Sequence, residues 1–351
     1  MVESRVAVFD GHNDTLLRLV LRKGTEKERS FFAEADFDHI DLPRARRGGL
    51  AGGFFAMFTP SRGNPGASDR YDPDDAANFS GINRDKALAF TLKMAGLAHE
   101  MARLHPADVM IAEDAADISR SMQGGPMAML LHVEGAEAID PDFAALEVLY
   151  AAGLRSLGPV WSRGNIFAEG VPMAFPASPD IGGGLSDAGR ELIAACNCLG
   201  VMIDLSHLNE KGFWDVAALS DKPLVATHSN AHALCQSARN LTDRQLAAIA
   251  ESGGVVGINF HVGFLREDGR FDPDTPLETI VRHADHLIGA LGEDGVALGS
   301  DFDGCMVPRA LGDAAGLPSL VAAFRAAGYG EALIAKLCHG NWISLLQRTI
   351  G

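Results

Sequence analysis

Eight short apolar runs, separated by segments of helical character, constrain this chain of 351 residues more than any other feature. They are Val6 to Phe9, Leu50 to Phe58, Met127 to Val133, Leu154 to Val160, Val201 to Leu205, Leu224 to Thr227, Gly254 to Asn259 and Val296 to Gly299. Between them the spacing predicts a long amphipathic helix over Ile82 to Leu104, stopped by Pro106, and another over Pro141 to Ala152. Ser186 reads as the N-cap of a helix whose apolar stripe is Leu192, Ile193, Cys196 and Leu199. Further helices run through Trp214 and Leu219, start at the capping box of Thr242 and Gln245, and cover Leu277 to Leu291; two more close the chain. Continuous apolar strands alternating with helices call for a parallel sheet covered on its outer face. Eight such units suggest a (β/α)8 barrel of the TIM type, with an open doubly wound sheet as the alternative. No linker breaks the pattern, so residues 1–351 read as a single domain. Two Pro- and Gly-rich stretches, 59–80 and 162–186, leave strand C-termini and read as insertions, the first as a lid or a disordered tip.

Composition removes several classes of function. The net charge is −16, and the densest basic spot is the short Arg44-Ala-Arg46-Arg47, which argues against nucleic acid or an anionic membrane surface as partner. No stretch approaches the ~18 apolar residues of a membrane span. No apolar h-region follows Met1, so no signal peptide is expected and the protein reads as cytoplasmic. Cys196, Cys198, Cys235, Cys305 and Cys338 are scattered and odd in number, and read as reduced core thiols.

The polar residues at the ends of the apolar runs carry the chemistry. His12 and Asp14 follow the first run, Glu134 the third, His207 the fifth, His228 the sixth and Asp301 the eighth. Any one of these is as readily a strand cap or a satisfied buried histidine. Together they fall on the C-terminal rim of a barrel, where active sites of this architecture lie. Three histidines and up to three carboxylates exceed what one zinc needs, and suit two metals sharing a bridging carboxylate and a bridging hydroxide. Competing chemistries lack their signatures: there is no Gly-x-Ser-x-Gly, no Gly-x4-Gly-Lys and no Gly-x-Gly-x-x-Gly after a strand. His39, His99, His105, His232, His283, His286 and His339 fall on helices or in polar loops and read as non-ligands, and Asp204 and Asp303 as supporting residues.

The motifs Asp-Gly-His-Asn-Asp, His-Val-Glu-Gly, Asp-Leu-Ser-His, Thr-His-Ser-Asn and Gly-Ser-Asp-Phe-Asp-Gly, in this order, resemble the membrane (renal) dipeptidase family, peptidase family M19 of the amidohydrolase superfamily. The resemblance runs from about Val8 through the C-terminal helices. It implies a dipeptidase with two Zn²⁺ per chain: His12 and Asp14 on one, His207 and His228 on the other, Glu134 bridging. It also implies that a metal-bridging hydroxide attacks the peptide carbonyl, that Asp301 shuttles the proton, and that Arg239, in Ser-Ala-Arg-Asn-Leu, receives the substrate's C-terminal carboxylate. L-Xaa-D-Xaa as well as L-Xaa-L-Xaa dipeptides are the implied substrates, and a homodimer is a family expectation. One position departs from the family. Members often carry a histidine after the fourth strand; Trp161 stands there, and an indole can offer an N–H but cannot be charged or act as an acid. That departure keeps open another hydrolase of the superfamily, acting on a cyclic amide, a lactone or an N-acyl amino acid. A non-catalytic binding protein on a dead barrel is the remaining rival, and its signature, a missing ligand, is absent.

Overall fold

The computed structural model describes residues 5–61 and 76–351. Nine strands appear in it: β1 (Val8–Asn13), β2 (Leu50–Phe58), β3 (Val109–Ile111), β4 (Met127–Glu134), β5 (Leu154–Gly158), β6 (Met202–Ile203), β7 (Val225–Ala226), β8 (Val255–Ile258) and β9 (Val296–Leu298). All named pairings are parallel. One sheet runs β1-β2-β4-β5-β6 and a second β7-β8-β9. Single parallel bridges lie at both seams, Asp204 with Val225 between β6 and β7, and Asn13 with Phe302 between the end of β9 and β1. The Leu205 and Asp14 amides donate to the Val225 and Phe302 carbonyls across those seams, each at 2.8 Å. The eight strands other than β3 correspond one for one to the eight apolar runs and follow one another in the order of a (β/α)8 barrel.

Several boundaries differ from the sequence reading. The first strand is Val8–Asn13 rather than Val6 to Phe9, so His12 lies within it. The helix expected from Pro141 starts at Ala144, because Asp140 accepts from the Ala145 amide (3.3 Å) and holds 140–143 in a turn. β3 was not foreseen; it is three residues long and pairs with the start of β4. The closing helices are Leu317–Ala326 and a second that is interrupted: Glu331–Ala335, a π turn over Lys336–Gly340, then Asn341–Thr349. The Thr242–Gln245 capping box is formed as expected. Of the 59–80 insertion, 62–75 lie outside the described residues. All five cysteines are free; Cys196, Cys235 and Cys338 are buried, but Cys198 is exposed and is no core thiol.

Two hydrophobic layers follow from strand parity. Along β4, Met127, Met129, Leu131 and Val133 face the helices, whereas Ala128 and Leu130 face the barrel axis. The axial cluster draws Phe9, Phe54, Ala128, Leu130, Met202, Val225, Val255 and Ala297 from every barrel strand except β5. It is closed at the strands' N-terminal end by Trp342, Leu345 and Leu346 of the last helix. Trp342 is fully buried, and its indole N–H donates to the Leu298 carbonyl at 2.9 Å. A Cβ on Gly11 would run into the Thr227 carbonyl and the Trp342 indole, so only glycine lets β1 pass this close to the plug.

Candidate metal centre

The inner column of β4 continues upward as His132 and Glu134, the last residue of the strand. Parity therefore aims Glu134 into the barrel mouth. Three imidazoles converge on its Oε1. His207 Nε2 lies 2.9 Å away, His228 Nε2 3.4 Å and His12 Nε2 3.6 Å. His12 Nε2 also lies 3.7 Å from Asp14 Oδ2. Donor atoms of His12, Asp14 and Asp301 gather within 4.8 Å of one another, as do those of His12, Glu134 and His228. All of these side chains are buried except that of Asp301, which is partly exposed at the mouth.

His12 reaches this point through an irregularity. Phe9 and His12 both face the axis although three residues apart, which strict alternation forbids. Pairing of β1 with β2 slips between Asp10 and Asn13, and that slip re-aims the imidazole inward. His12 and Asp14 do not meet by the i, i+2 spacing of an extended strand, since Asp14 has already left the strand and sits at the start of the helix Thr15–Arg22.

Polar neighbours fix the tautomers. The Thr227 hydroxyl donates to Asp204 Oδ2 (2.6 Å), so its oxygen accepts from His228 Nδ1 (2.8 Å). Ser162 Oγ takes the corresponding place at His207 Nδ1 (2.8 Å). His228 thus carries its proton on Nδ1 and turns the Nε2 lone pair toward Glu134, the arrangement of a metal-ligating imidazole, and the Ser162 hydroxyl oxygen is placed to accept from His207 Nδ1 in the same way. Asp204 also accepts from the Ser206 hydroxyl (2.6 Å) and the Thr227 amide (2.8 Å), a supporting role as expected. Asp303 likewise accepts from Thr15 Oγ1 (2.9 Å).

A cation fits this donor set. Both His12 nitrogens and Asp14 Oδ1 are buried without a hydrogen-bond partner among the described residues. Burial raises Glu134 above the usual carboxylate range and lifts Asp301 to about 6. Burial, then the positive charges of Arg239 and His12, hold His207 well below the usual imidazole value; His228 is depressed by burial first, then by His12 and Arg239. Burial lowers His12 too, but the carboxylates of Glu134, Asp14 and Asp301 outweigh it and its pKa is raised. Three carboxylates crowded against three imidazoles in one pocket make a donor set whose mutual repulsion a cation would relieve. Nitrogen and oxygen donors of these types match zinc chemistry. Gly304 completes the pocket wall: a Cβ there would press on the carboxylates of Asp14 and Asp301 together.

Asp301 has left-handed backbone (φ 58°), its amide donates to the His12 carbonyl (3.0 Å), and its Oδ2 accepts from Asn259 Nδ2 (2.9 Å). Arg239 stands on the same rim but is buried. Its guanidinium donates to the Ser206 and His228 carbonyls and lies over the Phe264 ring (5.4 Å), while its Nε has no partner among the described residues. Burial lowers its pKa to about 10. Two histidines went unnoticed in the sequence. His132 lies beneath the site, edge-on to His12 (5.6 Å between ring centres), with Nδ1 on Ser156 Oγ (2.9 Å). Its position two residues before Glu134, on the same strand face, is the signal that marks it. His261 follows β8, its Nδ1 accepting from the Gly263 amide (3.1 Å), with burial and then Arg239 holding its pKa near 3.

Comparison with known proteins agrees with this geometry. Residues 1–349 match the family model of membrane dipeptidase (peptidase family M19). A metallo peptidase from Rhodobacter sphaeroides, solved with a phosphinate mimic of the dipeptide L-Ala-D-Ala, is 50% identical, with a TM-score of 0.92 over 99% of this chain and 100% of that one. The dipeptidase AC, a metallo peptidase of family M19, is 51% identical, with a TM-score of 0.91 over the same shares. A Klebsiella pneumoniae protein, described as an uncharacterized protein in the pqqA 5′ region, is 53% identical over 72% of this chain and 91% of its own length. The chain belongs to the membrane dipeptidase family and is a metallo-dipeptidase.

Proposed function

We propose that the protein is a cytoplasmic dipeptidase working with two Zn²⁺ per chain, the whole of 1–351 serving as one catalytic domain, and that it acts as a homodimer on L-Xaa-L-Xaa and L-Xaa-D-Xaa dipeptides. The observation that carries this reading is the convergence of three Nε2 atoms on one buried oxygen of Glu134. His12 and Asp14 would hold one ion, His207 and His228 the other, and Glu134 both. When bound, such ions lower the pKa of a water and polarise a carbonyl. Asp301, the one partly exposed carboxylate of the cluster, takes the proton from the attacking water and returns it to the departing amine. Asn259 holds one of its oxygens and leaves the other for that transfer. Arg239 offers a guanidinium to the C-terminal carboxylate, with its unpartnered Nε–H as a free donor. The ligand of the Rhodobacter sphaeroides relative, a mimic of L-Ala-D-Ala, supports the inclusion of L-Xaa-D-Xaa among the substrates. No helix among the described residues is long and apolar enough to cross a membrane.

The test is reconstitution. Protein stripped by a chelator and reloaded with zinc is assayed on L-Ala-D-Ala, L-Ala-L-Ala, the dipeptide amides, N-acetyl-alanine and a cyclic amide. Turnover of free dipeptides that rises to a plateau at two zinc ions per chain is expected. Turnover of the cyclic amide or the N-acyl amino acid in place of dipeptides would overturn the reading.

A further inference from the structure

Catalysis as described leaves unused a cluster on one flank of the mouth. The Trp161 indole lies 5.8 Å from the His207 ring, 5.0 Å from Phe58 and, stacked, 5.5 Å from Phe79, centre to centre. The Arg163 guanidinium sits 5.2 Å from the Trp161 ring and 5.0 Å from that of Phe58. The same guanidinium donates to Glu137 Oε1 (2.7 Å), the Thr59 carbonyl (2.7 Å) and Ser61 Oγ (3.3 Å). Arg163 and Glu137 are both buried. One ion pair therefore ties together the segments that leave β2, β4 and β5, and holds the indole against a histidine of the metal centre. A tryptophan packed on this many sides presents a fixed, uncharged surface. The charges of Arg163 and Glu137 offset each other, so the flank offers substrate no net charge. The other flank is the opposite in character: Arg239 from the loop after β7 and His261 after β8. If a dipeptide turns its carboxylate toward Arg239, its N-terminal side chain is left to the β5 side of the mouth, where Trp161 stands against His207.

We propose that Trp161, clamped by Arg163, forms the wall of the pocket for the side chain of the substrate's N-terminal residue, and that it makes the enzyme prefer apolar side chains over charged ones at that position. The inference rests on the dipeptidase reading, and the experiment separates the two. Gly-D-Ala, which lacks an N-terminal side chain, reports whether dipeptides are hydrolysed at all; Leu-, Phe-, Asp- and Lys-D-Ala report the pocket. For the natural protein, kcat/KM should be at least tenfold higher for Leu-D-Ala than for Asp- or Lys-D-Ala, in the range that side-chain recognition by an apolar pocket supplies. Trp161→Ala should lower kcat/KM for Leu-D-Ala at least fivefold more than for Gly-D-Ala. Trp161→Phe, which keeps the wall, should retain most of the discrimination, and Arg163→Lys, which keeps the charge but loses the fork, should lose part of it. Equal losses on Gly- and Leu-D-Ala in Trp161→Ala would make the indole a support of the metal centre and overturn the pocket. So would a natural protein indifferent to the N-terminal side chain, which needs no variant to fold. If no dipeptide is turned over, the dipeptidase reading fails and the pocket with it.

Discussion

Ala128, Leu130, His132 and Glu134 stand in one column on β4, and the barrel changes character along it. Its lower half is closed by the last helix, with Trp342 inserted among Phe9, Phe54, Val225 and Val255. There the single polar group of the indole is satisfied by the Leu298 carbonyl. The upper half holds imidazoles and carboxylates that the protein alone leaves unsatisfied: both nitrogens of His12, Oδ1 of Asp14 and Nε2 of His132 have no partner among the described residues. Between them lies a belt of satisfied polar groups, Ser156, Asp204 and Thr227, that holds the histidines from below. The same strands thus serve stability at one end and ligand binding at the other. A buried group without a partner costs stability, so the upper half is where a bound cation repays the fold.

Changes at the two ends should be separable in their effects. The largest is expected at the top. Glu134→Gln removes the anion shared by both proposed ions, leaving two cations close together without neutralisation. Elemental analysis should find both metals lost and turnover below detection, whereas one metal retained at full occupancy would remove the bridge. Next is Asp301→Asn, which should keep both metals and lower kcat by ~10²–10⁴-fold, since an amide neither accepts nor returns the proton. Activity within a few-fold of the natural protein, with metal content unchanged, would exclude Asp301 as the proton carrier.

At the bottom, Trp342→Ala should cost about 3–5 kcal/mol of stability, from lost burial and the cavity left behind. Denaturant unfolding measures the loss, and the folded fraction should keep its metal content. If metal affinity falls in step with stability, the two ends are coupled and the comparison breaks. The smallest expected effect is at Arg239. Arg239→Ala should lower kcat/KM on free dipeptides at least tenfold, as a charged hydrogen bond of about 1.5–3 kcal/mol implies, and Arg239→Lys by less. Equal rates on a dipeptide and its amide would sink the carboxylate role.

The strands, and the gathering of His12, Asp14, Glu134, His207, His228 and Asp301 at one rim, were legible because both rest on local patterns: apolar runs give the strands, and polar residues at their ends give the rim. β3 was missed because three residues make no period. His132 was overlooked because a histidine inside an apolar run reads as core, although its parity with Glu134 marks the axial face. The posture of Arg239 could not be read, since the Ser206 and His228 carbonyls it meets belong to segments brought together only by barrel pairing. Trp161 was visible as a departure from the family, but its clamp joins residues 58–61, 137 and 161–163, and no local pattern links them.

The slip in β1 bears on any attempt to move this centre into another barrel. Transplanting the string Phe9 to Asp14 onto a regular strand would rotate His12 by half a turn, into the helical layer, and leave the other candidate ligands facing a gap. A designed host must therefore reproduce an error in pairing as faithfully as it reproduces the side chains.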